Sequence, residues 1–262
     1  MTEPVLFQIE GAVATVIINR PDQRNALDAA AKALLLERLG EAAADDAIRA
    51  VVLTGAGSAF CVGQDLGEHA RALAADPATA FDTVDKDYNP VITLLTTMPK
   101  PVVAAVNGTC VGAGLGLALA CDLRVISSAA RFGTAFSGIG LTCDSGLSVN
   151  LVRAVGQARA AQLMLLGSIF TPDEAVGWGI SGIIADPAKT VAAAVEVAGR
   201  LATGPTLAFA ETKALLSAAP TATLAQALAA ESAAQHRLGL TRDHRDAVTA
   251  FLRKEKPTFS GS

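Results

Sequence analysis

Short β-branched runs alternate with stretches of helical periodicity through the first part of the chain, and helix alone fills the rest; no other feature narrows the possible folds as far. Residues 5–9 and 12–19 flank Glu10-Gly11 and read as a hairpin of β-branched strands. Asp28 is placed to cap a helix over 30–43, where Leu34, Leu35 and Leu39 make an apolar stripe. Residues 49–54 form a short apolar strand stopped by Gly55-Ala56-Gly57. A helix follows Asp82, with Val84, Tyr88, Val91, Ile92 and Leu95 at helical spacing. Further strands are expected over 102–107 and 123–127, with a strand and loop over 132–139. Helices are expected from Gly112 toward Cys121, over 147–155 and over 159–166. Thr171, Pro172 and Glu174 form a helix start with its own cap. From Thr190 onward the chain is Ala-rich helix broken at Gly204-Pro205 and Ala219-Pro220. This order predicts an α/β body with a helical C-terminal appendage.

Charge and composition exclude several classes of partner. The 262 residues carry 21 basic and 25 acidic side chains, so no concentrated positive field is available for nucleic acid. Apolar runs such as 117–120 are too short to span a bilayer. Met1-Thr2-Glu3-Pro4 lacks the basic and apolar regions of a signal peptide. Cys61, Cys110, Cys121 and Cys143 have no CxxC spacing and read as buried small hydrophobes in a cytoplasmic protein. His69, His236 and His244 lack the spacing of a metal cage; a solvated role is expected for each, and no metal.

Two small-residue segments each follow an expected strand: Ala59-Phe60-Cys61-Val62-Gly63-Gln64-Asp65-Leu66, and Asn107-Gly108-Thr109-Cys110-Val111-Gly112-Ala113-Gly114. Glycine lets the main chain turn tightly and lets another group approach it. The first N–H groups of a helix have no internal partner and sit at the positive end of its dipole. Such groups suit an anion, or negative charge developing on a carbonyl oxygen.

With their surroundings these segments resemble the crotonase (enoyl-CoA hydratase/isomerase) superfamily. Asn19-Arg20-Pro21 with Arg24-Asn25-Ala26-Leu27 resembles the family's first acyl-CoA segment, and residues 59–66 its AFxxGxDL stretch. Lys100-Pro101-Val102-Val103-Ala104-Ala105-Val106-Asn107-Gly108, Gly112-Ala113-Gly114 and Ala120-Cys121-Asp122 resemble its central signature, and Ala250-Phe251-Leu252 through Lys254 and Phe259 its ending. The resemblance implies an α/β crotonase (ClpP-like) spiral of ββα units over 1–200. A helical region over 201–262 would pack a homotrimer or a dimer of trimers. The substrate would be an acyl-CoA thioester, with coenzyme A part of the substrate and no separate cofactor.

The same resemblance implies an oxyanion hole from the backbone N–H groups of Gln64 and Ala113. Val62, Gln64 and Leu66 would lend backbone atoms to the adenine, and Ala26, Asp65 and Gly112 fall with the substrate-binding residues. Arg24 is either a clamp on a CoA phosphate or a surface arginine. Phe251 and Lys254 either reach the CoA of a neighbouring subunit or are a buried aromatic and a solvated lysine. Glu68, Asp82 and Asp85 fall in a segment that covers the acyl pocket in this family, with solvated helix charges the simpler account.

The carboxylates decide the reaction. Hydration in this family uses two glutamates, and the matching positions here are Gly116 and Phe136. One carboxylate stands in a suitable place, Asp144 in Gly140-Leu141-Thr142-Cys143-Asp144-Ser145-Gly146. That run, the preceding 132–141 and Gly156-Gln157-Ala158-Arg159-Ala160 resemble the branch that isomerises acyl-CoA double bonds, including ring-epoxide phenylacetyl-CoA isomerases. In that branch the matching aspartate is the acid/base; apart from the resemblance, Asp144-Ser145-Gly146 reads as a turn or helix cap. A single carboxylate suits the movement of a double bond from the 3 to the 2 position, because one base can take a proton and return it two carbons away. Phe132, Phe136, Leu141 and Leu147 would wall the site and raise the carboxyl's pKa. The rivals are a hydratase using Asp144 and an ordered water, and a silent acyl-CoA-binding subunit.

Overall fold

The computed structural model describes residues 3–262; Met1 and Thr2, on which part of the reading of the N-terminus rests, lie outside the described residues. Nine strands and eleven α-helices follow one another along these residues. β1 (Val5–Glu10) and β2 (Val13–Ile18) form the expected antiparallel hairpin, closed at Gly11 with φ +57°. After α1 (Ala29–Ala44), β3 (Ala50–Gly55) and β4 (Ala59–Cys61) lead to α2 (Leu66–Ala75) and α3 (Asn89–Thr97). The next round is β5 (Val102–Val106), β6 (Thr109–Val111) and α4 (Ala113–Ala120). The third is β7 (Leu123–Ser127) and β8 (Phe132–Gly133), followed by α5 (Leu147–Val155), α6 (Gln157–Leu166) and α7 (Pro172–Trp178). β9 (Ile183–Ala185) precedes α8 (Thr190–Ala202), α9 (Thr206–Ala218), α10 (Leu224–Gly239) and α11 (Arg242–Leu252).

The strands sort into two sheets. Order β1-β2-β3-β5-β7-β9 makes a six-stranded sheet, parallel from β2 onward, and β4-β6-β8 makes a smaller parallel one. Each round sends its first strand to the large sheet and its second to the small sheet. That is the ββα spiral of the crotonase fold. β3 and β5 are buried along their whole length, which is why they read as continuous apolar runs rather than alternating ones.

Several elements differ from the sequence expectation. β4, β6 and β9 are three-residue strands, too short to show a period of two. Their pairing depends on partners 20 or more residues away. In the strand and loop expected over 132–139 the strand is only Phe132–Gly133, and the loop turns through a 3-10 helix at Ser137–Ile139. Helix α2 goes beyond the sequence expectation; none of its residues is buried. The helix expected after Asp82 begins as a π-helical turn over Val84–Tyr88 before continuing as α3.

One face of the large sheet packs on α1, α3 and α4 through Val16, Leu35, Leu53, Leu95, Val106 and Leu115. The other face is covered by α8, whose Ala194, Ala198 and Ala202 sit on Val52, Val103 and Val125. Residue 200 therefore falls inside α8, which packs with the sheet, and α9–α11 form the helical C-terminal region. Asp243, 5% exposed, accepts from the N–H groups of Ser260 and Gly261 at 2.7 and 2.9 Å and ties the tail to α11. Arg49 donates to the Phe259 carbonyl at 2.9 Å and to the Gly204 carbonyl, joining the tail to the start of β3. Asp243→Ala removes the charged acceptor of those N–H groups and is expected to cost about 2 kcal/mol of unfolding free energy in urea titration.

Candidate active site

The site sits where the first two rounds of the spiral meet. Asn25, fully buried, donates to the carbonyls of Ala56 and Ala59 at 2.9 and 2.7 Å, and its Oδ1 accepts from the Arg20 N–H at 2.9 Å. This fixes the loop that carries Ala26 and Leu27. The Leu27 N–H donates to the Gly63 carbonyl at 2.8 Å, and the Asp65 N–H donates to the Leu27 carbonyl at 3.0 Å. Those two bonds hold the chain on either side of Gln64. Among the described residues the Gln64 N–H has no backbone acceptor.

Glycines bring the second N–H beside it. Gly112, at φ +58°, precedes α4, so the N–H of Ala113 belongs to the first helical residue and lacks an intrahelical partner. Gly63 takes φ +85°, and a Cβ there would lie 3.2 Å from the Ala113 nitrogen. Gly114 lets α4 press against β4, because a Cβ would lie 2.1 Å from the Cys61 carbonyl oxygen. Gln64 and Ala113 both border a cavity of about 360 Å³.

Ala26, Val62, Leu66, Phe81, Phe136 and Leu141 give this cavity its apolar lining. Asp144 is its single carboxylate among the described residues. The carboxylate is half-buried, and Ser145 Oγ donates to its Oδ1 at 2.7 Å. Burial pushes the Asp144 carboxyl above its ordinary range, and the Ser145 hydroxyl offsets part of that rise. The Leu147 N–H donates to the Asp144 carbonyl at 3.0 Å, fixing the loop at the start of α5. Tyr88, 2% exposed, also faces the cavity, and its hydroxyl donates to Gln64 Oε1 at 2.7 Å. Its phenol is held protonated, because burial raises its pKa further from neutrality.

The two positions that would carry the hydratase glutamates can be read directly. A Cβ at Gly116 would lie 2.6 Å from Ser145 Cβ and 2.8 Å from the Ser145 carbonyl oxygen, so α4 packs against the Asp144 loop with no room for a side chain. Phe136 presents an aromatic ring to the cavity instead of a carboxylate.

Of the residues singled out from the sequence, Ala26, Val62, Gln64, Leu66, Gly112, Ala113, Phe136 and Asp144 converge on this cavity. Four do not. Arg24 is exposed, at φ +51°, on the loop before Ala26. Asp65 is used elsewhere: its Oδ1 caps α2 by accepting from the Glu68 N–H at 3.0 Å, and its Oδ2 pairs with Arg20 at 3.0 Å. The cap and Arg20 hold its carboxyl below the usual range. Phe251 is 80% exposed, which excludes the buried-aromatic reading within one chain, and Lys254 is exposed beside it.

The structure also adds residues. His69 is half-buried rather than solvated, and its ring meets Phe81 edge-on at 5.1 Å in the cavity wall. Arg20 staples the site from outside, bonding the Ala26 carbonyl and pairing with Asp28 and Asp65. Tyr88 had a visible signal, as the only tyrosine of the chain placed in an apolar stripe. Lys32 had another, a charge in the apolar row of α1 with Leu35 and Leu39. Cys61, Cys110 and Cys121 are buried and unpaired, and Cys143 is half-buried.

A spiral of paired strands that sets two unpartnered N–H groups over an apolar cavity defines the crotonase class of fold. The chain belongs to the enoyl-CoA hydratase/isomerase family, whose model matches residues 8–262. It is 38% identical to the 1,2-epoxyphenylacetyl-CoA isomerase of Escherichia coli K12, with 100% of both chains covered. It is 37% identical to a probable enoyl-CoA hydratase of Rhodobacter capsulatus, over 98% of each. Its fold matches the crystal structure of a putative enoyl-CoA hydratase/isomerase from Mycobacterium abscessus with a TM-score of 0.95 and 49% identity, covering 98% of this chain and 100% of the other. An acyl-CoA thioester is the substrate class of the family. No helix of the described residues is long and apolar enough to cross a membrane.

Proposed function

We propose that the protein is an acyl-CoA isomerase that shifts a double bond, from 3-enoyl to 2-enoyl-CoA or in a ring-epoxide type of substrate. The observation that carries this reading is Asp144, the lone carboxylate among the described residues of a cavity that Gln64 and Ala113, whose N–H groups have no backbone acceptor, also line. The thioester oxygen binds between those two N–H groups. Asp144 takes a proton from C2, the electron pair spreads over C2–C4 and the oxygen, and Asp144 returns the proton to C4. The oxyanion donors matter because charge collects on that oxygen only while the dienolate lasts; one such donor is worth roughly 3 kcal/mol in known cases. The apolar walls keep the carried proton from exchanging with water.

Hydration is the second reading, favoured by the name of the Rhodobacter relative. With Gly116 and Phe136 at the glutamate positions, no second carboxylate in the cavity holds the water. Good enzymes turn over at up to ~10³ s⁻¹. Loss of one acid/base group removes ~10² to 10⁴-fold, so crotonyl-CoA hydration is expected below ~10 s⁻¹. A screen of 3-enoyl, 2-enoyl and ring-epoxide CoA esters tests both readings, and fast hydration with no isomerisation would sink the first.

Residues 201–262 are proposed to pack a homotrimer or a dimer of trimers. Leu240, Phe251 and Leu252, each more than three-quarters exposed on or beside α10 and α11, supply apolar surface for it. In that assembly Phe251 and Lys254 reach a neighbouring subunit's CoA, and Arg24 meets a CoA phosphate.

A further inference from the structure

Lys32 points a charge into the protein. It lies in the apolar row of α1 and is 3% exposed. A buried ammonium is destabilising unless it is paired and hydrogen-bonded. Here Nζ donates to Thr83 Oγ1 at 2.6 Å and to Gln64 Oε1 at 3.2 Å, and lies 3.4 Å from Glu68 Oε1 and 3.6 Å from Asp87 Oδ2. It also sits 5.5 Å from the centre of the Tyr88 ring. These partners belong to the loop after β4, to α2, and to the stretch around the π-helical turn. The cluster borders a second cavity of about 310 Å³, and the two cavities meet at Gln64, His69 and Thr83.

Gln64 belongs to both the cluster and the proposed oxyanion hole. Its Oε1 accepts from Lys32 Nζ and from the Tyr88 hydroxyl, which uses both acceptor sites of an amide oxygen. Its Nε2 donates to Glu68 Oε1 at 3.3 Å. The backbone bonds to Leu27 restrain Gly63 and Asp65 but leave the Gln64 N–H itself without a tether. The side-chain clamp supplies the missing restraint. An apolar residue at position 32 would leave Oε1 with one donor and would leave Glu68 and Asp87 without their shared cation.

On the reading of the Gln64 and Ala113 N–H groups as oxyanion donors, we propose that Lys32 is a positioning residue for the reaction. With Tyr88 it grips the Gln64 side chain, so that the Gln64 N–H stays aimed at the thioester oxygen, and it fastens the Thr83–Asp87 stretch beside the acyl cavity.

The test compares Lys32→Met, Gln64→Leu, their double variant and Tyr88→Phe; Gln64→Leu keeps the backbone N–H. Two readouts are taken: the infrared stretch of a ¹³C-labelled thioester carbonyl in bound 2-enoyl-CoA, and steady-state isomerisation of 3-enoyl-CoA. In the wild type the carbonyl stretch moves to lower frequency on binding. Lys32→Met and Gln64→Leu are each expected to lose much of that movement and to lower kcat by ~10 to 100-fold, short of the loss when a donor is removed outright. Dissociation constants for the ligand should stay within about threefold. The double variant should be no worse than the worse single one, because both changes release the same clamp. Tyr88→Phe removes one hydroxyl and should show a smaller loss in the same direction; it carries the test if Lys32→Met does not fold. A folded Lys32→Met, or Tyr88→Phe in its place, with the wild-type carbonyl shift and kcat would make the cluster merely structural and overturn the proposal, as would losses that multiply in the double variant. A wild-type carbonyl that does not move on binding would instead overturn the oxyanion reading beneath it.

Discussion

Asp144→Asn is expected to lower isomerase kcat by ~10² to 10⁴-fold while acyl-CoA binding stays close to that of the wild type. Asparagine keeps the shape of the side chain and an acceptor for the Ser145 hydroxyl, but it cannot take a proton from carbon. Burial raises the Asp144 carboxyl, so the acid limb of the kcat/KM profile should lie above the ordinary aspartate range and vanish in the variant. The same shift sets a stability effect. The folded state holds this proton more tightly than the unfolded chain does. Stability from this group therefore falls as pH rises from the unfolded value through the raised folded value, and the full cost remains above it. At neutral pH Asp144→Asn removes that cost and should unfold at a temperature equal to or above the wild type's. A variant with near-full activity would reduce Asp144 to a turn former.

Gly114→Ala is expected to damage folding and chemistry together. Its new Cβ would lie 2.1 Å from the Cys61 carbonyl oxygen and 2.8 Å from the carbonyl carbon, both main-chain atoms of β4. No side-chain rotation relieves that contact, so α4 must move away from β4. Overpacking of this kind costs up to about 3 kcal/mol, and more where backbone must shift. The movement also separates Ala113 from the loop that carries Gln64. Losing the geometry of one donor lowers kcat by ~10² to 10³-fold, and folded Gly114→Ala should approach that range. Gly199→Ala is the control: its Cβ meets nothing within 4 Å in the interior of α8. Helix propensity there predicts a gain of up to ~1 kcal/mol with unchanged activity. Equal stability for the two variants in denaturant titration would refute this account of Gly114.

The sequence carried the local signals well. Asp28 caps α1 by accepting from the Ala31 N–H at 2.9 Å, and Thr171 and Glu174 close the capping box that their spacing implied. The two glycine segments were visible because tight turns and helix starts are local devices; the family resemblance, not the glycines alone, pointed to the N–H groups of Gln64 and Ala113. Roles that depend on distant partners were not legible. Lys32 finds Thr83 across 51 positions, and Arg20 finds Asp65 across 45. Asp65 sits in the AFxxGxDL stretch beside Gln64, yet capping α2 and pairing with Arg20 occupy its carboxylate. The absence of glutamate at Gly116 was visible, but its physical reason, the Ser145 backbone packed against α4, needed the third dimension.

One measurement bears most directly on single-carboxylate isomerisation. A 3-enoyl-CoA carrying deuterium at C2 is converted in ordinary water, and the product is analysed by mass spectrometry and NMR. Proton return by Asp144 within a walled cavity predicts 2-enoyl-CoA with much of the label recovered at C4, and little 3-hydroxyacyl-CoA. A product that is mainly 3-hydroxyacyl-CoA, or 2-enoyl-CoA formed equally well by Asp144→Asn, would contradict it.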